Sequence, residues 1–175
     1  MGIGNTSSAS LLMARLTGLP LADCVGRGTG LDDAGVARKL AVLGDALAAN
    51  VAARTPLQIA AALGGFEILT MAGSVIAAAA SCRVVVVDGF ITTAAVALAE
   101  ALRPGVLAAC VFAHRSAEGP HARWLQQLAA RPLLDLDLRL GEGSGAALAW
   151  PLLTAACALL TEMASFESAG VSNRE

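Results

Sequence analysis

The feature that most constrains the fold of this chain is a run of four consecutive valines at residues 84–87. Consecutive β-branched residues without polar alternation favour a strand that is covered on both faces, as in a parallel sheet. A second apolar run at residues 106–112 follows a helical segment, and this order predicts a right-handed crossover. We therefore predict an α/β fold, a three-layer Rossmann-like parallel sheet covered by helices.

Helices are predicted elsewhere from capping residues and from the glycines and prolines that end them. The caps are Asn5 with the hydroxyl residues that follow it, Thr55 before Pro56, and Thr92 with Thr93, whereas Asp32 and Asp33 favour a helix N-terminus because of the helix dipole. The first helix is expected to end near Leu16, and the others to cover residues 32–53, 55–64, 67–81, 92–102, 118–131 and 144–163. Helices thus precede, separate and follow the two strands, as the α/β prediction requires.

Two apolar windows, residues 143–161 and residues 68–82, raise the question of a membrane span. Much of their apolar content is alanine, Pro151 interrupts the first window, and Arg83 ends the second. No aromatic belt or basic flank marks either window. We therefore predict buried helices of a globular core and no membrane partner, with a small integral membrane protein as an alternative.

Charge and composition exclude a nucleic-acid partner. Twelve basic and fourteen acidic side chains give a net charge of −2, and aromatic residues make up only 3% of the chain. Such a chain lacks both the basic surface and the stacking platforms that nucleic acids require. Its four cysteines are far apart in sequence and form no C-x-x-C pair, which indicates no metal site and a reducing, cytoplasmic setting.

Two glycine-rich segments, each ahead of a helix, indicate binding of a phosphate ester. The first contains Gly2, Gly4, Asn5 and Thr6, and the second contains Gly26, Arg27, Gly28, Thr29 and Gly30. Backbone amides in such loops can donate hydrogen bonds to an anion, although the spacing is not that of a dinucleotide-binding fingerprint. Lys39 is the only lysine, so either its compact ammonium group is required there or it survives by chance on a solvated helix face.

Polar residues follow both predicted strands. Asp88 comes directly after the first, and His114, Arg115 and Ser116 come after the second, followed by Glu118. Ligands of open α/β sheets bind beyond the carboxyl ends of the strands, so we include the first four among the candidate substrate-binding residues. The alternatives are a turn residue for Asp88 and a capped helix start for the second group.

A single carboxylate, Glu142, lies between glycines directly before an uncharged helix. The helix dipole favours the ionised carboxylate, whereas burial against Leu140 favours the neutral acid, and the sequence leaves open which effect prevails. A general base poised near neutrality needs burial to dominate. We assign Glu142 as the catalytic candidate and add Leu140 and Gly141 to the substrate-binding candidates. The alternative is a flexible turn with an exposed glutamate.

An ordered set of motifs resembles a known enzyme family. The set is GIGNT at 2–6, GRGTGLDD at 26–33 with Lys39, AALGGFE at 61–67, VDGF at 87–90, HRSAE at 114–118 and LRLGEGSGAAL at 138–148. It is similar to the motifs of the nicotinate-nucleotide–dimethylbenzimidazole phosphoribosyltransferase family, and the resemblance covers nearly all of this chain.

The resemblance implies transfer of 5-phosphoribose from nicotinate mononucleotide to 5,6-dimethylbenzimidazole. This glycosyltransferase reaction gives α-ribazole 5′-phosphate and nicotinate and builds the lower ligand of cobalamin. The resemblance implies that Glu142 is the general base, that the two glycine segments, Lys39 and Ser116 hold the phosphate, and that the protein is a homodimer without a cofactor or metal.

The resemblance extends only to the carboxyl-terminal half of the family. We therefore expect residues 1–175 to form that part of a phosphoribosyltransferase α/β domain, with the last helix, about 144–163, joining a small helical subdomain. The amino-terminal strands are expected to be absent, together with a functional glutamate that precedes the position of Met1 in the family, so that residues 84–87 have an uncovered edge. The alternative function is a truncated, catalytically incompetent remnant that binds the nucleotide phosphate.

Overall fold

A computed structural model describes residues 2–172 of the chain. Met1 and residues 173–175 lie outside the described residues. The expectation about Met1 and the two ends of the predicted domain therefore lie outside them as well. Within this range the α-helices are α1 (Thr6–Thr17), α2 (Leu21–Cys24), α3 (Asp33–Ala49), α4 (Pro56–Leu63), α5 (Phe66–Ala80), α6 (Phe90–Leu102), α7 (Gly119–Gln127) and α8 (Ser144–Glu162).

Two parallel strands, β1 (Val85–Val87) and β2 (Cys110–Phe112), form the sheet of the described residues. They pair in the register Val85 with Cys110 and Val87 with Phe112, and α6 makes the crossover between them. The backbone then pairs Leu134 with His114 in a parallel bridge beyond β2. Helices α5 and α6 pack against β1. The prediction of an α/β fold with a parallel sheet and covering helices is confirmed.

Both strands are shorter and less covered than predicted. Val84 is 66% exposed, and Val85 and Val86 are only partly buried, so burial on both faces was wrong for this strand. An apolar groove of about 320 Å³ runs beside it, lined by residues that include Met71 and Val75 of α5. Among the described residues β1 pairs only with β2, which agrees with the expected uncovered edge.

The first half of the second predicted strand is a 3₁₀ turn, Val106–Ala109. The cause is the carboxylate of Glu100, which accepts hydrogen bonds from the backbone N–H of Gly105 at 2.9 Å and of Leu107 at 3.0 Å. Amides that donate to this carboxylate are not available to a neighbouring strand. The prediction of a strand over residues 106–109 was therefore wrong.

Side-chain caps account for two of the eight helix starts in residues 2–172, those of α3 and α4. Thr55 accepts a hydrogen bond from the Gln58 backbone N–H and forms a capping box, as predicted, and Asp32 accepts one from Gly35. Asn5 makes no side-chain cap at α1. Helix α6 starts at Phe90 rather than after a threonine cap, because Thr92 lies within its first turn and accepts a hydrogen bond from the Gly89 backbone N–H at 2.9 Å.

Helix α6 occupies the centre of the core. It packs against α5, α1, α7 and α4, and Ala94, Leu98 and Ala99 on it are fully buried. Its alanines keep the side-chain layer thin, so the neighbouring helices can approach it closely. The core therefore surrounds the helix that links the two strands.

Helix α8 is exposed along most of its length, which corrects the prediction of a buried helix. Only Gly145 and Ala149 are buried on it, whereas Trp150 is 62% and Leu160 is 88% exposed. The helix touches the rest of the described chain mainly through its first turns, so its apolar composition does not place it in the core. Its 19 residues and mean hydropathy of 1.5 are sufficient to cross a membrane by length and composition alone.

Replacement of Leu98 by alanine should lower the free energy of unfolding by about 2–5 kcal/mol, because the side chain is fully buried in α6. The matched control is Leu160→Ala on the exposed side of α8, which should change it by less than about 0.5 kcal/mol. Urea unfolding of both variants measures the difference. Equal losses would show that α6 is not the centre of the core.

Candidate active site

Lys39 of α3 lies beneath the glycine loop, which we define as residues 26–30. Its Nζ atom is 3.0 Å from Thr6 Oγ1 and 3.4 Å from the carbonyl oxygen of Gly26. The loop passes over it because Gly28 has a φ of 55°, a left-handed conformation that favours glycine. One lysine thus joins the two glycine-rich segments that the sequence analysis singled out.

The surroundings of Lys39 are suited to an anion. Burial lowers the pKa of its ammonium group from the ordinary value of 10.5, and the nearby Glu118 carboxylate opposes that shift. Glu118 Oε1 also accepts a hydrogen bond from the Gly28 backbone N–H at 3.0 Å. A half-buried ammonium whose hydrogen-bond partners are neutral oxygens gains strongly from a phosphate group, because charge-assisted hydrogen bonds are the stronger kind.

A second group of side chains lies where the two strands end, and we refer to Asp88, His114 and Ser116 as the strand-end cluster. His114 is 2% exposed, and its Nε2 atom is 3.8 Å from Asp88 Oδ1. The same carboxylate oxygen accepts a hydrogen bond from the backbone N–H of Ala146 at 3.0 Å. The first turn of α8 is thereby fixed to the carboxyl end of β1, as the helix dipole favours.

Gly145 is required at this junction because the backbone of α8 passes directly over the imidazole of His114. A Cβ atom at position 145 would overlap the ring atoms of His114. Two buried polar atoms at the junction, His114 Nδ1 and Ser144 Oγ, have no hydrogen-bond partner within residues 2–172. The buried polar atoms at this junction are therefore only partly supplied with hydrogen-bond partners by the described residues.

His121 of α7 is completely buried between the strand-end cluster and α6. Its Nδ1 atom is 2.9 Å from the Ser116 backbone nitrogen, and its Nε2 atom is 2.9 Å from Thr93 Oγ1. Burial and, secondly, the nearby His114 lower the pKa of its imidazole to about 4, whereas Asp88 opposes the shift. His121 is therefore neutral at pH 7.

Glu142 is exposed in the turn before α8, and Leu140, which is itself 75% exposed, does not cover it. The burial that the sequence analysis left open is therefore absent. Its φ is 58°, and the flanking Gly141 and Gly143 have φ values of 76° and 81°. A left-handed conformation is costly for a residue other than glycine, so the turn carries the carboxylate at an energetic cost. Within the described residues Glu142 makes no ion pair.

The remaining candidates lie at the edges of these two groups. The guanidinium of Arg27 contacts Asp33, and that of Arg115 pairs with Asp135 at 2.9 Å, so both arginines have carboxylate partners. Gly2 lies beside the Glu67 side chain. Among the other candidates, Gly4 is exposed, Asn5 precedes α1 without capping it, Thr29 lies in the glycine loop, and the N–H of Gly30 closes its turn onto the Arg27 carbonyl oxygen at 3.1 Å.

Sequence reasoning did not identify four residues that join these groups, namely Glu118, His121, Thr93 and Gly145. Glu118 was noted as a polar residue after the second strand, but its bond to the glycine loop spans 90 positions. His121 and Thr93 are 28 positions apart, and nothing in their local sequence indicates contact. Gly145 lies within the predicted helix of residues 144–163, and its sequence does not indicate that the backbone there passes over a buried ring.

Comparison with known proteins identifies the family. A family model described as a phosphoribosyltransferase matches residues 1–171. The chain belongs to this phosphoribosyltransferase family. It is 63% identical over 172 residues to the nicotinate-nucleotide–dimethylbenzimidazole phosphoribosyltransferase of Cupriavidus necator and 61% identical over 175 residues to that of Variovorax paradoxus. These alignments cover 98% and 100% of this chain and 50% of each relative.

A solved structure of the phosphoribosyltransferase family has the same backbone arrangement. The crystal structure of CobT from Thermus thermophilus superposes with a TM-score of 0.93 and 45% sequence identity, covering 99% of this chain and 52% of that one. The family and the fold are thus shown. The chain spans about half the length of the relatives that it matches.

Gly145→Ala should lower the free energy of unfolding by about 1–3 kcal/mol, because the added methyl group meets the buried ring of His114. The control is Gly73→Ala in the interior of α5, where the added Cβ has no neighbour within 4 Å. It should raise stability by roughly 0.5–1 kcal/mol through helix propensity. Thermal and urea unfolding distinguish the two, and a stable Gly145→Ala would contradict the close contact.

The stability of the protein should fall as the pH is lowered from 6.5 to 4, since the unfolded His121 takes up a proton there and the folded one does not. The unfolded state then binds more protons, so stability rises with pH, by about 3 kcal/mol from this residue. His121→Gln should have a flatter profile over the same interval. Parallel profiles for the two proteins would show that His121 titrates normally.

Proposed function

We propose that this chain takes part in transfer of the 5-phosphoribosyl group from nicotinate mononucleotide to 5,6-dimethylbenzimidazole, in synthesis of the cobalamin lower ligand. The proposal is supported by the names of relatives at 63% and 61% identity. The observation that carries it is the position of Lys39 beneath the glycine loop, where a phosphate can replace neutral oxygen partners. No cofactor is needed for this reaction.

In the proposed reaction the 5′-phosphate is held by Lys39, Thr6, the glycine loop and Ser116. The bond between C1′ of ribose and the pyridinium nitrogen breaks, and its electron pair stays on the nicotinate ring nitrogen. The free ring nitrogen of the benzimidazole forms the new bond to C1′ with inversion. The carboxylate of Glu142 accepts the proton from the second ring nitrogen of the benzimidazole. The benzimidazole ring of the product is therefore uncharged.

Because Glu142 is exposed, an incoming heterocycle can reach its carboxylate and cover it when it binds. The backbone strain of Glu142 supports its role as the base, because costly conformations concentrate at functional positions. Asp88, His114 and Arg115 are proposed to line the substrate site from the strand ends, and Leu140 and Gly141 from the turn. The two arginines of the candidate set contact carboxylates, so Lys39 is the principal cation in this proposal.

The proposal extends to the setting of the protein. Residues 1–175 would form the carboxyl-terminal part of a phosphoribosyltransferase domain, and the small buried fraction of α8 supports its joining a helical subdomain. A homodimer in the cytoplasm is proposed with it, without nucleic-acid or membrane partners. The free cysteines, two of them exposed, suit a reducing compartment.

Glu142→Gln should abolish the release of nicotinate from nicotinate mononucleotide and dimethylbenzimidazole while leaving binding of the mononucleotide unchanged. The substitution keeps the shape of the side chain and removes its ability to accept a proton. Chromatographic assay of nicotinate and titration calorimetry measure the two properties. Undiminished release by the variant would exclude Glu142 as the base. Binding without release in the unaltered chain would instead identify the second candidate function, a nucleotide-phosphate binding module, for which the position of Lys39 beneath the glycine loop would suffice.

Lys39→Met should weaken binding of nicotinate mononucleotide roughly ten- to a hundredfold, because it removes a charge-assisted hydrogen bond and keeps the apolar stem. The control is Arg38→Met, an exposed neighbour on α3, which should bind normally. Affinity of the unaltered chain should also fall as the pH rises through the Lys39 pKa, which lies below 10.5, since the ammonium then loses its proton. Equal affinity of both variants would contradict the phosphate site.

A further inference from the structure

His121 connects the two strand ends without belonging to either. Its ring lies between the Ser116 backbone nitrogen, in the segment after β2, and Thr93 Oγ1 on α6, the helix that follows β1. Both distances are 2.9 Å, and the residue is completely buried. A buried imidazole with both nitrogens engaged is held in one orientation, so it fixes the spacing of the two elements that it joins.

The hydrogen-bond partners of His121 determine which nitrogen carries its proton. A backbone N–H can only donate, so Nδ1 of His121 must accept the hydrogen bond from Ser116. A neutral imidazole carries its single proton on the other nitrogen, and Nε2–H therefore donates to the hydroxyl oxygen of Thr93. The arrangement is lost in a doubly protonated ring, because Nδ1 would then also be a donor.

The segment held by His121 continues to the glycine loop. The Ser116 hydroxyl oxygen accepts a hydrogen bond from the Glu118 backbone N–H at 3.2 Å. Glu118 Oε1 in turn accepts one from the Gly28 backbone N–H at 3.0 Å. An unbroken series of hydrogen-bonded residues therefore runs from Thr93 through His121, Ser116 and Glu118 to Gly28. The two groups of candidate site residues meet in this series.

We infer that His121 is a positioning residue of the nucleotide site: as a neutral ring protonated on Nε2 it holds the Ser116–Glu118 turn, and through that turn the glycine loop, in the geometry that receives a phosphate. The inference rests on the proposed function for the identity of the ligand. Its physical basis is preorganisation, since a loop that is ordered before binding does not lose conformational freedom on binding. His121 does not touch the ligand in this account.

The tautomer can be measured without any ligand. The chain contains only two histidines, so the two-bond nitrogen–proton correlations of the ring of His121 are assigned by comparison with a His121→Asn spectrum. We expect a neutral ring protonated on Nε2 from pH 5 to pH 8. The titratable groups that act on this ring are His114 and Asp88. A ring protonated on Nδ1, or one that titrates near pH 6.5, would overturn the inference.

Two substitutions separate positioning from simple packing. His121→Asn places a side-chain oxygen where Nδ1 lies and keeps the acceptor for Ser116, whereas His121→Leu fills a similar volume with no acceptor. We expect His121→Leu to bind nicotinate mononucleotide roughly five- to tenfold more weakly and His121→Asn to recover most of that loss. The packing control is Leu125→Ala, a buried position on the same helix, which should lose stability and keep its affinity.

A third measurement keeps the test independent of the proposed function. The backbone amide resonance of Gly28 should shift in His121→Leu and stay near its original position in Leu125→Ala, although Gly28 is linked to His121 only through Ser116 and Glu118. If the unaltered chain does not bind nicotinate mononucleotide, the proposed function fails, and this amide shift still decides the inference. An unchanged Gly28 resonance, or equal ligand affinity for folded His121→Leu and the unaltered chain, would overturn it.

Discussion

The parallel pairing of β1 with β2 is the constraint on which the site depends. Parallel strands end at the same edge of a sheet, so the residues after Val87 and after Phe112 emerge side by side. Asp88 and His114 are neighbours for this reason alone, although a whole helix separates them in the sequence. Helix α6 makes the pairing possible, and its burial in the centre of the core keeps the two strand ends at a constant separation.

The electrostatics around Lys39 follow from the small number of charged groups near its ammonium group. Lys39 is half-buried with a hydroxyl and a carbonyl oxygen as its nearest partners, and the one carboxylate that acts on it, Glu118, is already engaged by the glycine loop. Removing an ammonium group from water without a paired anion is unfavourable, which is why its pKa is lowered. In the proposed function a phosphate would relieve that cost, so an unfavourable feature of the free protein would contribute to affinity for the ligand.

Sequence patterns singled out most of the candidate residues of this site, but they did not show which of these residues contact one another. The glycine loop, Lys39 and the strand ends were predictable because glycine spacing, a single lysine and β-branched runs are local signals. The hydrogen bonds of His121 were not, since Ser116, Thr93 and His121 come from three elements that only the packed helices bring together. The start of the second strand was not predictable either, because the Glu100 carboxylate accepts hydrogen bonds from the backbone N–H groups of Gly105 and Leu107. The exposure of α8 was hidden as well, because apolar composition does not say what covers a helix.

Helix α8 connects an exposed apolar surface, along most of its length, with the candidate site residues at its first turn. Its 19 residues form a rod of roughly 28 Å at the usual rise per residue, and Ala146 and Gly145 attach one end of that rod to Asp88 and His114. In the proposed function, a partner surface that covered the far end of α8 would also fix the orientation of the turn that carries Glu142, so that assembly of the protein would influence catalysis.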